Sequence, residues 1–297
     1  MEFTPWHMSS DIDSVLRRRG LSPEGEGAEA TVLYPLGQDT NIVLKHGQFR
    51  YHELFQSKHP RDHFVERFKR ASFRKLLRSV LQAKTCSLTD LKRKHGDSVP
   101  DDLDFLQNIL VIGISGDEVS LVREVDNIGP SFEYCVSRIC ELELRGSAAW
   151  GVKVKNLPRT GGDYDVLAWL EPCLVYIECK TARPSEIPEP ALRQFMQRSV
   201  ELAPELAIML VDTEDDIEPL TRRLTNLVLQ QGLGASHPTH LGIEAHPSYP
   251  SVYFGFNRVF VTNTRRGITQ ALQFSLQYYH AHAKGYPLVD TTRAQFA

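Results

Sequence analysis

The 297-residue chain has no CxxC pair and only five cysteines, Cys86, Cys135, Cys140, Cys173 and Cys179. An odd count without metal-ligand spacing excludes a disulfide framework and a structural zinc, and it suits a reducing compartment. Long apolar runs are also missing. The longest, residues 206–211, is far short of the roughly 20 residues of a membrane helix. Residues 1–8 have neither a basic n-region nor an apolar h-region, so no secretory leader is expected, and residues 1–7 read as a vector-derived tag. Proline (17) and glycine (19) are too scarce for a fibrous or disordered chain. Secreted, membrane-spanning and zinc-ribbon classes are thereby set aside in favour of a cytoplasmic globular protein.

Charge nearly cancels over the whole chain, at −3, but not locally. Residues 44–95 hold 14 Lys and Arg against 4 Asp and Glu, a balance of +10, which leaves −13 for the remainder. A basic segment in an acidic protein is the footprint of a polyanion binder, because phosphate neutralisation supplies most non-specific affinity. A solvated helix face produces the same count.

Three regions follow from the hydrophobic pattern. Residues 1–62 form a small N-terminal module with a helix over 11–19 and strands over 31–36 and 40–44. Residues 63–125 carry Phe64, Phe68, Phe73, Leu76, Leu77, Val80 and Leu81 near helical spacing, which predicts one amphipathic helix to about residue 84. Ser87, with Asp90 three positions on, caps a short second helix that Gly96 stops. A third helix starts at the acidic pair Asp101-Asp102, and a hairpin pairs 110–114 with 119–122. Three helices and a hairpin make a winged-helix-like domain, although the third helix carries three acidic residues and no Arg for reading bases. Residues 126–297 alternate helix and strand: a helix from Gly129-Pro130 to about 145, strands at 150–154, 164–170 and 174–180, a helix at 190–202, a strand at 206–212, a helix at 217–230, strands at 252–256 and 259–262, and a last helix at 267–282.

Chemistry concentrates in the second and third of these strands. Glu171-Pro172 reads as a two-residue loop joining two apolar runs, and this register sets Asp165 opposite Glu178. Facing side chains have Cβ atoms about 4.5–5.5 Å apart, where two carboxylates repel unless a cation lies between them. Hard oxygen donors suit Mg²⁺ or Mn²⁺. Lys180, two residues past Glu178, projects from the same sheet face, where an ammonium orients water or stabilises charge on a phosphate. Asp163 is the rival acid, because the same register pairs it with Lys180. Cys179 points to the opposite face, Cys135 and Cys140 read as core residues, and Lys153, Lys155 and Arg159 are candidates for phosphate contacts. His237, His240, His246, His280 and His282 have no clean metal spacing.

Gly-Gly-Asp-Tyr-Asp165-Val-Leu followed by Ile-Glu178-Cys-Lys180-Thr resembles the signature of the PD-(D/E)xK nuclease superfamily, and within it Mrr-like and CRISPR-ancillary nucleases. The likeness spans roughly residues 127–215. It implies an α/β fold of restriction-endonuclease type, a mixed sheet flanked by helices, and Mg²⁺-dependent cleavage of DNA or sometimes RNA. By the same resemblance Asp165 and Glu178 hold the metal with Glu133 assisting, the Cys179 carbonyl is a further ligand, Lys180 positions the attacking water, and Gln194 orients Lys180 or the substrate. Restriction, anti-phage defence, mobile-element processing and repair are the implied settings, and a homodimer is the implied assembly. The residues leave one alternative open: a non-catalytic DNA-binding or assembly protein built on a nuclease-like scaffold.

Overall fold

A computed structural model describes residues 10–25, 32–34, 60–96, 99–122, 125–157, 162–230, 243–246, 249–255 and 258–282. The strand expected at 40–44 lies outside these residues, as do Arg159, His237, His240 and the strand expected at 31–36 apart from 32–34.

The centre is a mixed eight-stranded sheet, ordered β1 (Pro23–Glu24), β5 (Ser147–Val154), β6 (Tyr164–Leu170), β7 (Cys173–Lys180), β8 (Leu206–Val211), β11 (Val259–Asn263), β10 (Tyr249–Gly255) and β9 (Ile243–His246). β5, β6 and β7 run antiparallel as a meander, whereas β7, β8 and β11 are parallel. β7 is buried at every position except Lys180, as a central strand covered on both faces must be.

Alternation along β7 divides two cores. Val175, Ile177 and Cys179 join a cluster with α6 (Gly129–Leu142) and α9 (Ile268–His282), while Leu174 and Tyr176 join one with α1 (Ser10–Arg18), α7 (Glu189–Leu202) and α8 (Glu218–Gln230). Helices therefore cover the sheet on both faces. Each fully buried leucine or phenylalanine in these layers contributes about 1.5–3 kcal/mol. Gly146, before β5, permits a close approach: a Cβ there would lie 2.5 Å from the carbonyl oxygen of Trp169.

The segment 60–121 packs on the α6 face within the same cluster. The single helix expected here is two, α2 (Pro60–Phe68) and α3 (Ala71–Ala83). The break has a side-chain cause: Arg74, buried in α3, donates at 2.7 Å to the carbonyls of both Phe68 and Lys69 and so ends α2. α4 (Leu88–His95) begins as expected, with Ser87 Oγ accepting from the Asp90 amide at 3.2 Å. α5 (Val99–Asn108) and the hairpin β3 (Ile112–Ser115) and β4 (Glu118–Leu121) follow. A third strand, β2 (Thr85–Ser87), pairs with β4, where the sequence suggested only a linker between helices.

Among the described residues, six basic side chains of this segment meet acids on other elements or turns of the fold. Arg67 and Arg70 both reach the buried Asp102, Lys69 reaches Glu66 and Glu143, and Lys75 reaches Glu214. Arg74 and Arg78 converge on Asp212. The acidic remainder of the chain thus folds over the basic stretch. Lys84, Lys92, Arg93 and Lys94 stay exposed. No helix among the described residues is long and apolar enough to cross a membrane.

Candidate active site

The meander holds the expected register. Leu170 pairs with Cys173 across the Glu171-Pro172 turn, and the ladder runs to Val166 and Ile177. Asp165 and Glu178 follow directly at the open end of that ladder. One oxygen of Asp165 accepts from the Cys179 amide at 2.8 Å, which ties the acid to the neighbouring strand.

Glu178 is 1% exposed, and three groups compensate its charge. Lys180 Nζ donates to Oε1 at 2.5 Å, Tyr176 donates its hydroxyl to Oε2, and the Arg198 guanidinium lies 3.5 Å from Oε2. Tyr176, Glu178 and Lys180 share a face because side chains alternate along a strand. Tyr176 and Arg198 were not among the expected site residues. Period-two spacing back from Glu178 points to Tyr176, whereas only folding brings Arg198 in.

α7 supplies Gln194 and Arg198. Pro190 stands in its first turn, where a missing amide hydrogen costs nothing, and residues four apart share a helix face. Phe195 packs its ring 5.7 Å from that of Tyr176, fixing the helix over the site. The Arg198 guanidinium lies 5.6 Å from the Tyr164 ring centre. Gly162, at φ +73°, makes room: a Cβ there would fall 2.7 Å from Arg198 Nη2 and 4.0 Å from Gln194 Nε2.

Glu133 is the fifth residue of α6, whose start the Asn127 side chain sets by accepting from the Gly129 amide at 2.8 Å. Burial first, then Glu178, pushes the Glu133 carboxyl up to about 7. Burial, Glu178 and Glu133 hold the Asp165 carboxyl well above the ordinary carboxylate range. Burial opposes the charge on Lys180, but Glu178 and Asp165 outweigh it and raise the ammonium above its usual value. Burial and the charge of Glu178 therefore act together on Glu133 and Asp165.

The rival acid, Asp163, is 45% exposed and lies 3.7 Å from Lys153, yet it is near enough to Glu133 to help raise that carboxyl. Lys155 pairs with Glu24, so both lysines expected to touch phosphate already have acidic partners. The Cys179 side chain points into the α6 core, and Cys135 and Cys140 are fully buried there. No group of three His, Cys, Asp or Glu residues among the described residues is arranged as a ready metal cage.

No known protein family matches the chain, and no curated protein does. The crystal structure of protein VC1899 from Vibrio cholerae is similar to it over 93% of the chain, at 15% identity and a TM-score of 0.44. The chain spans 62% of that protein's length.

Proposed function

We propose that this protein is a metal-dependent nuclease that hydrolyses phosphodiester bonds, in DNA before RNA, with a restriction-endonuclease-like catalytic unit over residues 126–297. The observation that supports this most is the cluster at the open end of β6 and β7: Lys180 donates to Glu178, Asp165 accepts from the Cys179 amide between them, and Glu178 and Glu133 are close enough to push the Asp165 carboxyl up.

The donor set fits a hard divalent cation. Asp165, Glu178 and Glu133 offer only carboxylate oxygens, and their mutual repulsion is the kind a dication relieves. These acids, with the Cys179 carbonyl, would hold Mg²⁺ or Mn²⁺, which would supply Lewis acidity toward a phosphoryl oxygen and a more acidic water. Glu178 and Asp165 favour the ammonium of Lys180, which would orient water and steady phosphate charge as a cation. Arg198 and Tyr176 hold Glu178 in place, and Gln194, whose Nε2 lies beside Gly162, would orient Lys180 or the substrate. α3 to α5 with the three-stranded sheet of β2, β4 and β3 support the reading of residues 63–125 as a winged-helix-like, DNA-contacting domain. Its exposed cations are Lys84, Lys92, Arg93 and Lys94. Five free cysteines suit a cytoplasmic setting such as restriction, phage defence, mobile-element processing or repair, and two copies would bring two sites to two strands.

The test is nicking of plasmid and single-stranded DNA in Mg²⁺ or Mn²⁺. Wild type is expected to cut, and Asp165→Ala and Lys180→Ala to lose cutting. Equal activity in all three would remove the assigned site. A second reading, the non-catalytic DNA-binding scaffold, draws on the closed state of Glu178, whose two oxygens are both already engaged. DNA affinity that survives EDTA, with no Mg²⁺ heat at Asp165 and Glu178, would favour it.

A further inference from the structure

At the other end of the β6–β7 hairpin, where α1 crosses the sheet, lies a cavity of about 430 Å³. Ser14 and Arg18 of α1, Arg145 and Ser147 at the start of β5, Trp169 at the end of β6 and Glu171 of the turn line it. Its volume falls in the range of small-molecule sites. Ser147 and Trp169 are direct partners across β5 and β6, so one sheet face presents a hydroxyl and an indole side by side. Trp169 is four residues from Asp165 along β6, about 13 Å at strand rise, so the cavity is separate from the acidic site.

Three features ask for a ligand. Ser147 is only 7% exposed, yet its Oγ has no hydrogen-bond partner, and a buried hydroxyl left unsatisfied costs about 1–3 kcal/mol. Arg18 and Arg145 flank the cavity with no acidic partner among the described residues. Arg145 also sits at φ +58°, a conformation in which glycine would be unstrained, so a cation is kept where the backbone favours its absence. Two guanidinium forks recognise a phosphate bidentately, and an indole face takes a flat heteroaromatic ring. Glu171 on the rim can accept from ribose hydroxyls or a base amino group.

We propose that this cavity binds one nucleotide unit, its phosphate held by Arg18, Arg145 and Ser147 and its base stacked on Trp169. That unit is either a free mononucleotide or the 5′-phosphorylated end of a strand. The inference does not depend on the acidic site being a nuclease centre.

The experiment titrates the full-length protein, in EDTA, with AMP, adenosine, inorganic phosphate and a 5′-phosphorylated tetranucleotide, followed by calorimetry and tryptophan fluorescence. AMP or the tetranucleotide is expected to bind at least about tenfold tighter than adenosine or phosphate, because base and phosphate contacts add. The exposed pair Arg18→Ala/Arg145→Ala should weaken binding at least about tenfold, and Ser147→Ala a few-fold. Trp169→Phe should remove the fluorescence response, while Asp165→Asn should leave affinity unchanged. Preference for the tetranucleotide assigns the strand end, and preference for AMP assigns the free nucleotide. Absence of binding by both, equal affinity for phosphate alone, or full binding by the double arginine variant would overturn the proposal.

Discussion

The carboxylate of Asp212 accepts a hydrogen bond from Arg74 Nε at 2.8 Å, both side chains being almost wholly buried. The same aspartate accepts from Thr264 Oγ1 at 2.8 Å and from Arg78, and its amide donates to the carbonyl of Lys180 at 2.7 Å. One residue after β8 therefore fastens the helical segment to the backbone of the site lysine.

Removing one partner of a buried ion pair leaves the other charge uncompensated, typically at about 3–5 kcal/mol. Asp212→Ala is expected to lose stability in that range in urea unfolding, more than Lys75→Ala at the exposed pair with Glu214, where about 0–1 kcal/mol is expected. Similar midpoints for the two variants would show that the network does not carry the attachment.

Glu133 makes stability depend on pH. Its carboxyl is raised from 4.5 to about 7 in the folded protein, so the native state holds a proton that the unfolded chain releases between those values. Stability contributed by this group therefore falls as pH rises from 4.5 through about 7. Glu133→Gln should flatten that slope and stabilise the metal-free protein at pH 8 by roughly 1–3 kcal/mol. Thermal melts in EDTA from pH 5 to 8 check this, and parallel curves for variant and wild type would refute it.

Divalent cations should act on the same acids. At Mg²⁺ a hundredfold above its dissociation constant, wild type should gain about 2.7 kcal/mol. Asp165→Asn and Glu178→Gln should lose most of that gain, and Lys180→Ala should keep it. A melting shift that persists in both acid variants would place the ion elsewhere.

Gly162→Ala tests the packing of Arg198. The substitution imposes a Cβ at φ +73° and within 2.7 Å of Nη2, so the guanidinium must shift from its place beside Glu178. About 1–2 kcal/mol of stability should be lost through backbone strain, together with most cleavage activity. Arg198→Lys should reproduce the activity loss without the positive-φ strain. Full activity in both variants would show that Arg198 does not position Glu178.

Much of the candidate site was legible because its cause is local. A two-residue turn sets the register of β6 and β7 from Leu170–Cys173 to Val166–Ile177, and strand alternation then places Tyr176, Glu178 and Lys180 on one face of β7. Ser87 announced its helix in the same way. The break between α2 and α3 was not legible, because the group that caps α2 is the side chain of Arg74, whose burial depends on Asp212, 138 residues away. The partners of the basic residues were not legible for a related reason: charge counts do not reveal which acids return to meet the bases. Arg67, Arg70, Arg74 and Arg78 found Asp102 and Asp212.

What the amino-acid order determined alone was the alternation of helix and strand, the hairpin register and the shared face of Glu178 and Lys180, since these rest on backbone geometry over a few residues. Only the tertiary structure decided that Arg198 and Tyr176 complete the shell of Glu178, that the basic helices are neutralised from within, and that Ser147, Trp169 and two arginines enclose a cavity. Those depend on chain segments distant in sequence meeting at a few ångströms, and burial then sets how strongly their charges act on one another.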